Sequence, residues 1–209
     1  MKGFFSMFRR SAESLKDLRT LTTVGMLIAM AVAIRSLAIQ ITPDLRIVFT
    51  FIPLCVIGML YGPVVCGMST LALDIIGFII DNKAARGYSP QLGLVVVLTG
   101  VIYGIFLYRE KINMVFVVLS RTIVVLVCNI CLNSYFLYSL YINKDFSVFT
   151  ADKDAWDVFI TWLWTSFRLP KNLAELPLDL ILLVIVLPAA MTAYKRVYHK
   201  MPVVKAVQK

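Results

Sequence analysis

The sequence predicts an all-α integral membrane protein with six transmembrane helices and with both termini in the cytoplasm. Hydrophobic residues make up 60% of the 209 residues and charged residues 16%, against roughly 45–50% and about 25% in an average soluble domain. The hydrophobic residues also form long runs, and the mean hydropathy of the chain is +0.84. These observations exclude an ordinary soluble fold.

The apolar runs give six candidate spans, since a helix that crosses a membrane needs about 20 mostly apolar residues. The spans cover residues 21–41, 46–61, 63–80, 91–108, 114–142 and 174–194. The second and third come from one uncharged stretch that Tyr61-Gly62-Pro63 divides, which predicts two helices joined by a tight turn. The spans divide the chain into three predicted parts. Residues 1–20 form a basic amphipathic segment, residues 21–194 the membrane domain and residues 195–209 a basic tail.

The distribution of Lys and Arg predicts the orientation in the membrane. With the N-terminus inside, the inner segments hold 12 basic and 3 acidic residues, and the outer loops hold 7 of each. Both termini are therefore expected to be cytoplasmic. The same distribution explains the net charge of +9 without nucleic acid as a partner. A cleaved signal peptide fits less well, because Arg35 interrupts the first apolar run.

Charged side chains inside or at the edge of apolar runs are the first candidates for a site. A charge at the bilayer centre costs about 2.5–3.5 kcal/mol, so each is expected to face protein or water. Arg35 and Asp74 can pair with each other or bind a ligand. Arg121 is expected to extend to the cytoplasmic edge, and Asp179 can take either role. Asp81, seven residues after Asp74, is expected to share its helical face.

Residues 143–173 are predicted to form a long outer loop in which aromatic and charged side chains alternate. An interfacial aromatic belt and a lid that stacks on a flat, polar solute both fit this pattern. Catalysis is not expected, because the one histidine, His199, lies in the tail and no nucleotide-binding or metalloprotease motif is present. No metal or cofactor is expected either. Cys128 and Cys131 have the spacing of thiol oxidoreductases, but a thiolate is disfavoured in an apolar span.

Six segments of the chain form a recognisable set: Thr42-Pro-Asp-Leu-Arg-Ile47, Phe51-Ile-Pro53, Gly58-Met-Leu-Tyr-Gly-Pro63, Leu98–Tyr108, Leu132-Asn-Ser-Tyr135 and Arg168-Leu-Pro-Lys-Asn-Leu173 with Pro177. Together they resemble the folate-family S components of energy-coupling factor (ECF) vitamin transporters. The resemblance extends from about Leu21 to Leu187. It implies a non-catalytic subunit of a bacterial plasma membrane importer, which captures folate from outside. It also implies a transmembrane scaffold subunit and two ATPase subunits as partners.

The resemblance also suggests which residues act. The family docks on its scaffold through an Ala-x-x-x-Ala on the first helix, which Ala29 and Ala33 match. A carboxylate can pair with the amino-pyrimidine edge of folate, and the candidates are Asp74 and Asp81. Aromatic rings can stack on the pterin, and the candidates are Tyr88, Trp162 and Trp164. Basic groups can clamp the glutamate tail, and the candidates are Arg35, Arg46, Arg168 and Lys171.

Pro90 and Gln91 complete the predicted site. They lie where the chain departs from the family, because many folate members carry Pro-Gly-Phe-Thr before the fourth helix and this chain reads Tyr-Ser-Pro-Gln-Leu-Gly over residues 88–93. An S component for another vitamin or a related small molecule is therefore one alternative. A membrane thiol oxidoreductase that uses Cys128 and Cys131 is another. A stand-alone secondary carrier is less consistent, because paired repeats are not evident.

Overall fold

The computed structural model describes residues 2–42, 45–80, 87–109, 112–144, 146 and 152–198. The long elements are helices, and a ten-residue π-helical segment (the π segment, Val124–Asn133) separates two of them. The helices are α1 Lys2–Ser14, α2 Leu18–Ser36, α3 Phe51–Tyr61, α4 Pro63–Ile80, α5 Pro90–Leu107, α6 Met114–Ile123, α7 Ser134–Tyr141, α8 Lys153–Thr165 and α9 Arg168–Tyr198. Two short strands, β1 Ile39–Thr42 and β2 Leu45–Ile47, lie between α2 and α3.

Five helical stretches in the described part of the chain are long and apolar enough to cross a membrane. They are Leu18–Ser36, Pro63–Ile80, Pro90–Leu107, Met114–Tyr141 and Arg168–Val197. The remaining predicted span, 46–61, is shorter than expected, because α3 begins at Phe51. Its 11 residues reach only about 16 Å, roughly half of the hydrocarbon core of a bilayer.

A small hairpin replaces the predicted outer ends of the first two spans. The strands β1 and β2 pair antiparallel, with Ile39 opposite Ile47 and Gln40 opposite Arg46. Apolar and polar residues alternate at these positions, which is the period of a strand and not of a helix. The prediction that residues 37–41 and 46–50 are helical was therefore wrong.

The predicted tight turn is confirmed, with Gly62 as the one residue between α3 and α4. Gly62 has φ +87°, and a Cβ there would lie 3.0 Å from the Ser11 side chain. A residue with a side chain would be strained in both respects. Pro63 begins α4, a position where its missing N–H is not needed.

The short helix α3 lies at the centre of the bundle. Every residue from Pro53 to Tyr61 is buried, and α3 packs against α2, α4, α5 and α9. The contact with α5 is close, since a Cβ on Gly58 would lie 3.1 Å from the backbone nitrogen of Gly104. Small residues therefore bring these helices together, as is common in membranes.

The predicted outer loop 143–173 is largely helical. Residues 153–165 form α8, and α9 begins at Arg168, six residues before the predicted span. Aromatic side chains pack α8 onto α7, with Tyr138 at the centre. Its ring lies 5.1 Å from those of Phe146, Phe159 and Trp162. The loop prediction failed because these aromatic residues bury one another and give α8 a small core of its own.

The connections fall at two ends of the bundle. The basic end contains α1, the turn at Gly62, residues 108–109 and 112–114, and the end of α9. Its parts meet there: Ser11 hydrogen-bonds Tyr61, and the rings of Tyr61 and Tyr194 lie 6.4 Å apart. The other end contains the β hairpin, the end of α4, the beginning of α5, and α8. We call it the cavity end, because a cavity between the helices lies toward it.

Candidate functional site

A cavity of about 220 Å³ opens among α2, α3, α4, α5, α6 and the π segment. It lies toward the cavity end, since α2 contributes a residue of its last turn, α3 contributes its first turn and α4 contributes residues of its middle turns. The polar residues in its lining are Arg35, Thr50, Thr70, Asp74, Thr99, Tyr103, Arg121 and Asn129. Pockets for drug-sized ligands measure roughly 300–1,000 Å³, so this space suits a ring system better than a whole large molecule.

Arg35 forms one wall of the cavity from the last turn of α2. Its guanidinium group lies directly against Gly77 of α4, where a Cβ would overlap it. The guanidinium can therefore take this position only because residue 77 has no side chain.

Asp74 lines the same cavity from α4 and is half-buried. Its Oδ2 accepts a hydrogen bond of 3.0 Å from the Tyr88 hydroxyl. The Tyr88 ring packs edge-on against Phe78, with 5.3 Å between the ring centroids. Burial, together with the bond to Asp74, raises the pKa of Tyr88 above its ordinary value, so this hydroxyl stays protonated and donates. An ionised carboxylate has about four acceptor positions, so Asp74 can still accept from a ligand in the cavity.

Arg121 forms the floor of the cavity, and the prediction that it extends to the edge of the membrane was wrong. It is 7% exposed. Its Nη2 and Nε donate to Asp179 Oδ2 at 2.6 and 3.1 Å, and its Nη1 donates to the Tyr103 hydroxyl at 2.6 Å. The guanidinium also lies 4.0 Å from the centre of the Phe51 ring. Asp179 on α9 thus compensates the buried charge, so the Arg121 guanidinium does not need to be hydrated.

Arg168 and Trp162 lie together beside the aromatic cluster, outside the residues that line the cavity. The Arg168 guanidinium is 5.6 Å from the Trp162 ring, and its Nη1 donates to Asn133 Oδ1 at 3.4 Å. Asn133 ends the π segment, and Asn129, about one turn before it, lines the cavity. Arg168 therefore contacts the π segment about one turn away from the cavity lining.

The remaining predicted residues are more dispersed. Lys171 pairs with Glu175 at 2.9 Å, and Trp164 is exposed on α8. Pro90 and Gln91 begin α5 and are exposed. Arg46 belongs to β2 by its backbone, but its side chain and the whole of Asp81 lie outside the described residues.

The cysteine pair does not contribute to the cavity. Cys128 is buried and Cys131 is exposed, both on the π segment. Neither is among the residues that line the cavity. The described residues also contain no cluster of potential metal ligands.

Sequence reasoning missed several polar residues of the cavity, namely Thr50, Thr70, Thr99, Tyr103 and Asn129. Threonines give a weak signal in apolar runs, because a hydroxyl can bond the backbone of its own helix. Thr70 bonds the carbonyl of Gly67, and Thr99 bonds that of Val95. Tyr103 and Asn129, in contrast, are polar residues inside predicted spans and could have been found.

Comparison with known proteins gives consistent matches. The family described as ECF transporter, substrate-specific component, matches residues 19–187. The folate transporter FolT of Clostridium novyi (strain NT) is 37% identical over 106 residues, which are 51% of this chain and 60% of that protein. The folate transporter FolT of Streptococcus mutans serotype c is 36% identical over 96 residues, 44% of this chain and 50% of that protein. The alignments thus span about half to three-fifths of these relatives.

A solved structure resembles the fold over more of the chain. The crystal structure of FolT bound with folic acid superposes with a TM-score of 0.62 at 32% sequence identity. The superposition covers 78% of this chain and 88% of that one.

Proposed function

Since the chain belongs to the family of substrate-specific components of ECF transporters, we propose that it captures folate outside the cell for ATP-driven uptake. In this proposal it is a non-catalytic subunit of a bacterial plasma membrane importer. A transmembrane scaffold subunit and two ATPase subunits, which hydrolyse ATP, are its partners. The folate transporters among its relatives and the folic acid-bound FolT structure support folate as the substrate.

The proposed orientation has both termini in the cytoplasm, six membrane-inserted helices and the cavity open to the outside. The charges of the described residues support it. At the basic end, Arg and Lys outnumber Asp and Glu; the basic residues are Arg9, Arg10, Lys16, Arg19, Arg109, Lys195 and Arg196, and the acidic residues are Glu13 and Asp17. Cytoplasmic segments of membrane proteins carry such an excess. The helix α3 enters only part of the bilayer and is shielded from lipid by its neighbours.

The observation that carries the proposed site is that Arg35 and Asp74 line one cavity from two helices. Asp74 is assigned to the amino-pyrimidine edge of the pterin, because a carboxylate can accept two parallel hydrogen bonds from it. Arg35 and Arg168 are assigned to the two carboxylates of the glutamate tail. The cavity has room for the rings, so the tail would extend from it toward Arg168, one turn away along the π segment. Arg46 and Asp81 remain candidates for the same roles.

The assignment is tested by measuring the affinity of purified variants for folate and for pteroate, which lacks the glutamate. Arg35→Ala and Arg168→Ala should each lower the affinity for folate about 10- to 150-fold. This is the loss expected for a charge-assisted contact of about 1.5–3 kcal/mol. They should change pteroate binding much less. Arg19→Ala, which removes an exposed arginine at the basic end, is the matched control. Equal losses for both ligands would show that neither arginine holds the tail.

The scaffold is proposed to dock on the α2 face that contains Ala29 and Ala33. Both residues are exposed, and their spacing of four places them one above the other on that face. Ala29→Trp together with Ala33→Trp should leave folate binding unchanged and abolish energised uptake in reconstituted vesicles. If the double variant still co-purifies with the scaffold and ATPase subunits, the docking face lies elsewhere.

A further inference from the structure

The N-terminal helix α1 is fastened across the basic end of the bundle. The Ser11 side chain is fully buried. Its hydroxyl donates to the carbonyl of Tyr61 at 2.7 Å and accepts from the backbone N–H groups of Val64 and Val65 at 3.0 and 3.2 Å. One hydroxyl thus satisfies groups on both sides of the α3–α4 turn, and the rotation of α1 about its own axis is fixed.

This fixed rotation turns only part of the apolar face of α1 toward the protein. Ser11 faces the bundle, whereas Phe4 is 50% and Phe5 71% exposed. At about 100° per residue, Phe4, Phe5, Phe8 and Ala12 fall within an arc of roughly 100° that begins beside Ser11. Arg9 and Glu13 lie beyond this arc and form an exposed ion pair of 2.9 Å. The apolar face therefore continues past the edge of the bundle.

The surroundings of α1 combine exposed apolar side chains with positive charge. Leu18 and Leu21 are exposed at the start of α2, a helix long and apolar enough to cross a membrane. Lys16 and Arg19 are exposed beside them. The exposed apolar surface of α1 is thus followed along the chain by the exposed apolar surface of α2. Lys16 and Arg19 lie where the two helices meet.

We propose that α1 is an interfacial helix that binds anionic phospholipids of the cytoplasmic leaflet. Phe4 and Phe5 insert among the acyl chains, and the basic end binds the headgroups. An amphipathic helix with aromatic residues on one face and basic residues beside it is suited to this position, and the anionic inner leaflet attracts basic residues next to a membrane helix. This role does not involve the cavity and is separate from folate capture.

The position of α1 can be measured with spin labels in lipid nanodiscs that contain phosphatidylglycerol. Labels are placed at Phe5→Cys and, as the matched site on the polar face, at Glu13→Cys. Both are made in a Cys131→Ser background, because the other cysteines are buried. The label at residue 5 should be accessible to oxygen and protected from a water-soluble nickel chelate, and the label at residue 13 should show the reverse. Equal access of the nickel chelate to both labels would overturn the proposal.

The role of charge is tested by native mass spectrometry of phospholipids that stay bound to the full chain. Lys16→Gln with Arg19→Gln should lose its preference for phosphatidylglycerol over phosphatidylcholine, by roughly fivefold for each charge removed. Lys144→Gln with Lys153→Gln, which removes two exposed charges at the cavity end, should keep it. Equal loss in both variants, or no preference in the unmodified chain, would contradict the proposal.

The spin-label experiment also distinguishes lipid from a protein partner. If the label at residue 5 is protected from the nickel chelate only after the scaffold and ATPase subunits are added, the exposed face of α1 is a protein interface and the proposal is wrong.

Discussion

Two arginine–aspartate sets border the same cavity and differ in how completely the protein encloses them. On the floor, Arg121 directs Nε, Nη1 and Nη2 at Asp179 and Tyr103, and Asp179 is 1% exposed. On the wall, Arg35 and Asp74 are only half-buried and both line the open space. The same residue types can therefore serve different purposes within one site.

The difference follows from the cost of burying charge. A buried arginine must be compensated by the protein at all times, since its desolvation costs several kcal/mol. Asp179 on α9 compensates Arg121, and this pair is expected to fix the position of α6 relative to α9. A half-buried group keeps part of its hydration and can exchange water for a ligand. We therefore expect the floor to determine stability and the wall to determine affinity.

The largest effect is expected when the floor pair is broken. Asp179→Ala should lower the free energy of unfolding by about 3–5 kcal/mol, because it leaves a buried guanidinium without its carboxylate. The measurement is denaturant unfolding in detergent without ligand. Arg121→Met combined with Asp179→Leu should recover stability to within ~1 kcal/mol of the unmodified chain or above it. If Asp179→Ala unfolds like the unmodified chain, the floor pair has no structural role.

A smaller effect, on affinity alone, is expected from Gly77→Ala. The new Cβ would occupy the position of the Arg35 guanidinium, which can move because it ends a flexible side chain. Folate affinity should fall roughly tenfold, the loss of one charge-assisted contact. Stability should not fall, since Ala favours a helix over Gly. Gly25→Ala is the control, because a Cβ there meets nothing within 4 Å; equal effects of the two changes would argue against the placement of Arg35.

The sequence predicted the parts of the fold that depend on the bilayer. Apolar runs marked the membrane helices, and Tyr61-Gly62-Pro63 marked the α3–α4 turn. The parts that depend on protein contacts were not predicted correctly. The helix α8 is stabilised by aromatic residues of α7. The residues before α3 pair as a β hairpin, and hydropathy alone does not distinguish such a strand from the end of a helix.

The lining of the cavity was predicted to a similar degree and for the same reason. Arg35 and Asp74, which line it, were singled out in the sequence because charges in apolar runs are costly. The partner of Arg121 was not found, since Asp179 lies 58 positions away in the chain and only the packing of α9 brings them together. The role of Gly77 depends on the close approach of Arg35, which no pattern in the sequence contains.

The most direct test of this division between wall and floor is the folate affinity of two variants, measured by calorimetry on folded protein. One is Asp74→Asn, which keeps an oxygen that can accept from Tyr88. The other is Arg121→Met with Asp179→Leu, which replaces the floor pair by apolar side chains. Asp74→Asn should bind folate about 10- to 150-fold more weakly, whereas the floor variant should stay within about fivefold of the unmodified chain. A larger loss in the floor variant than in Asp74→Asn would contradict the assignment of the wall as the ligand site.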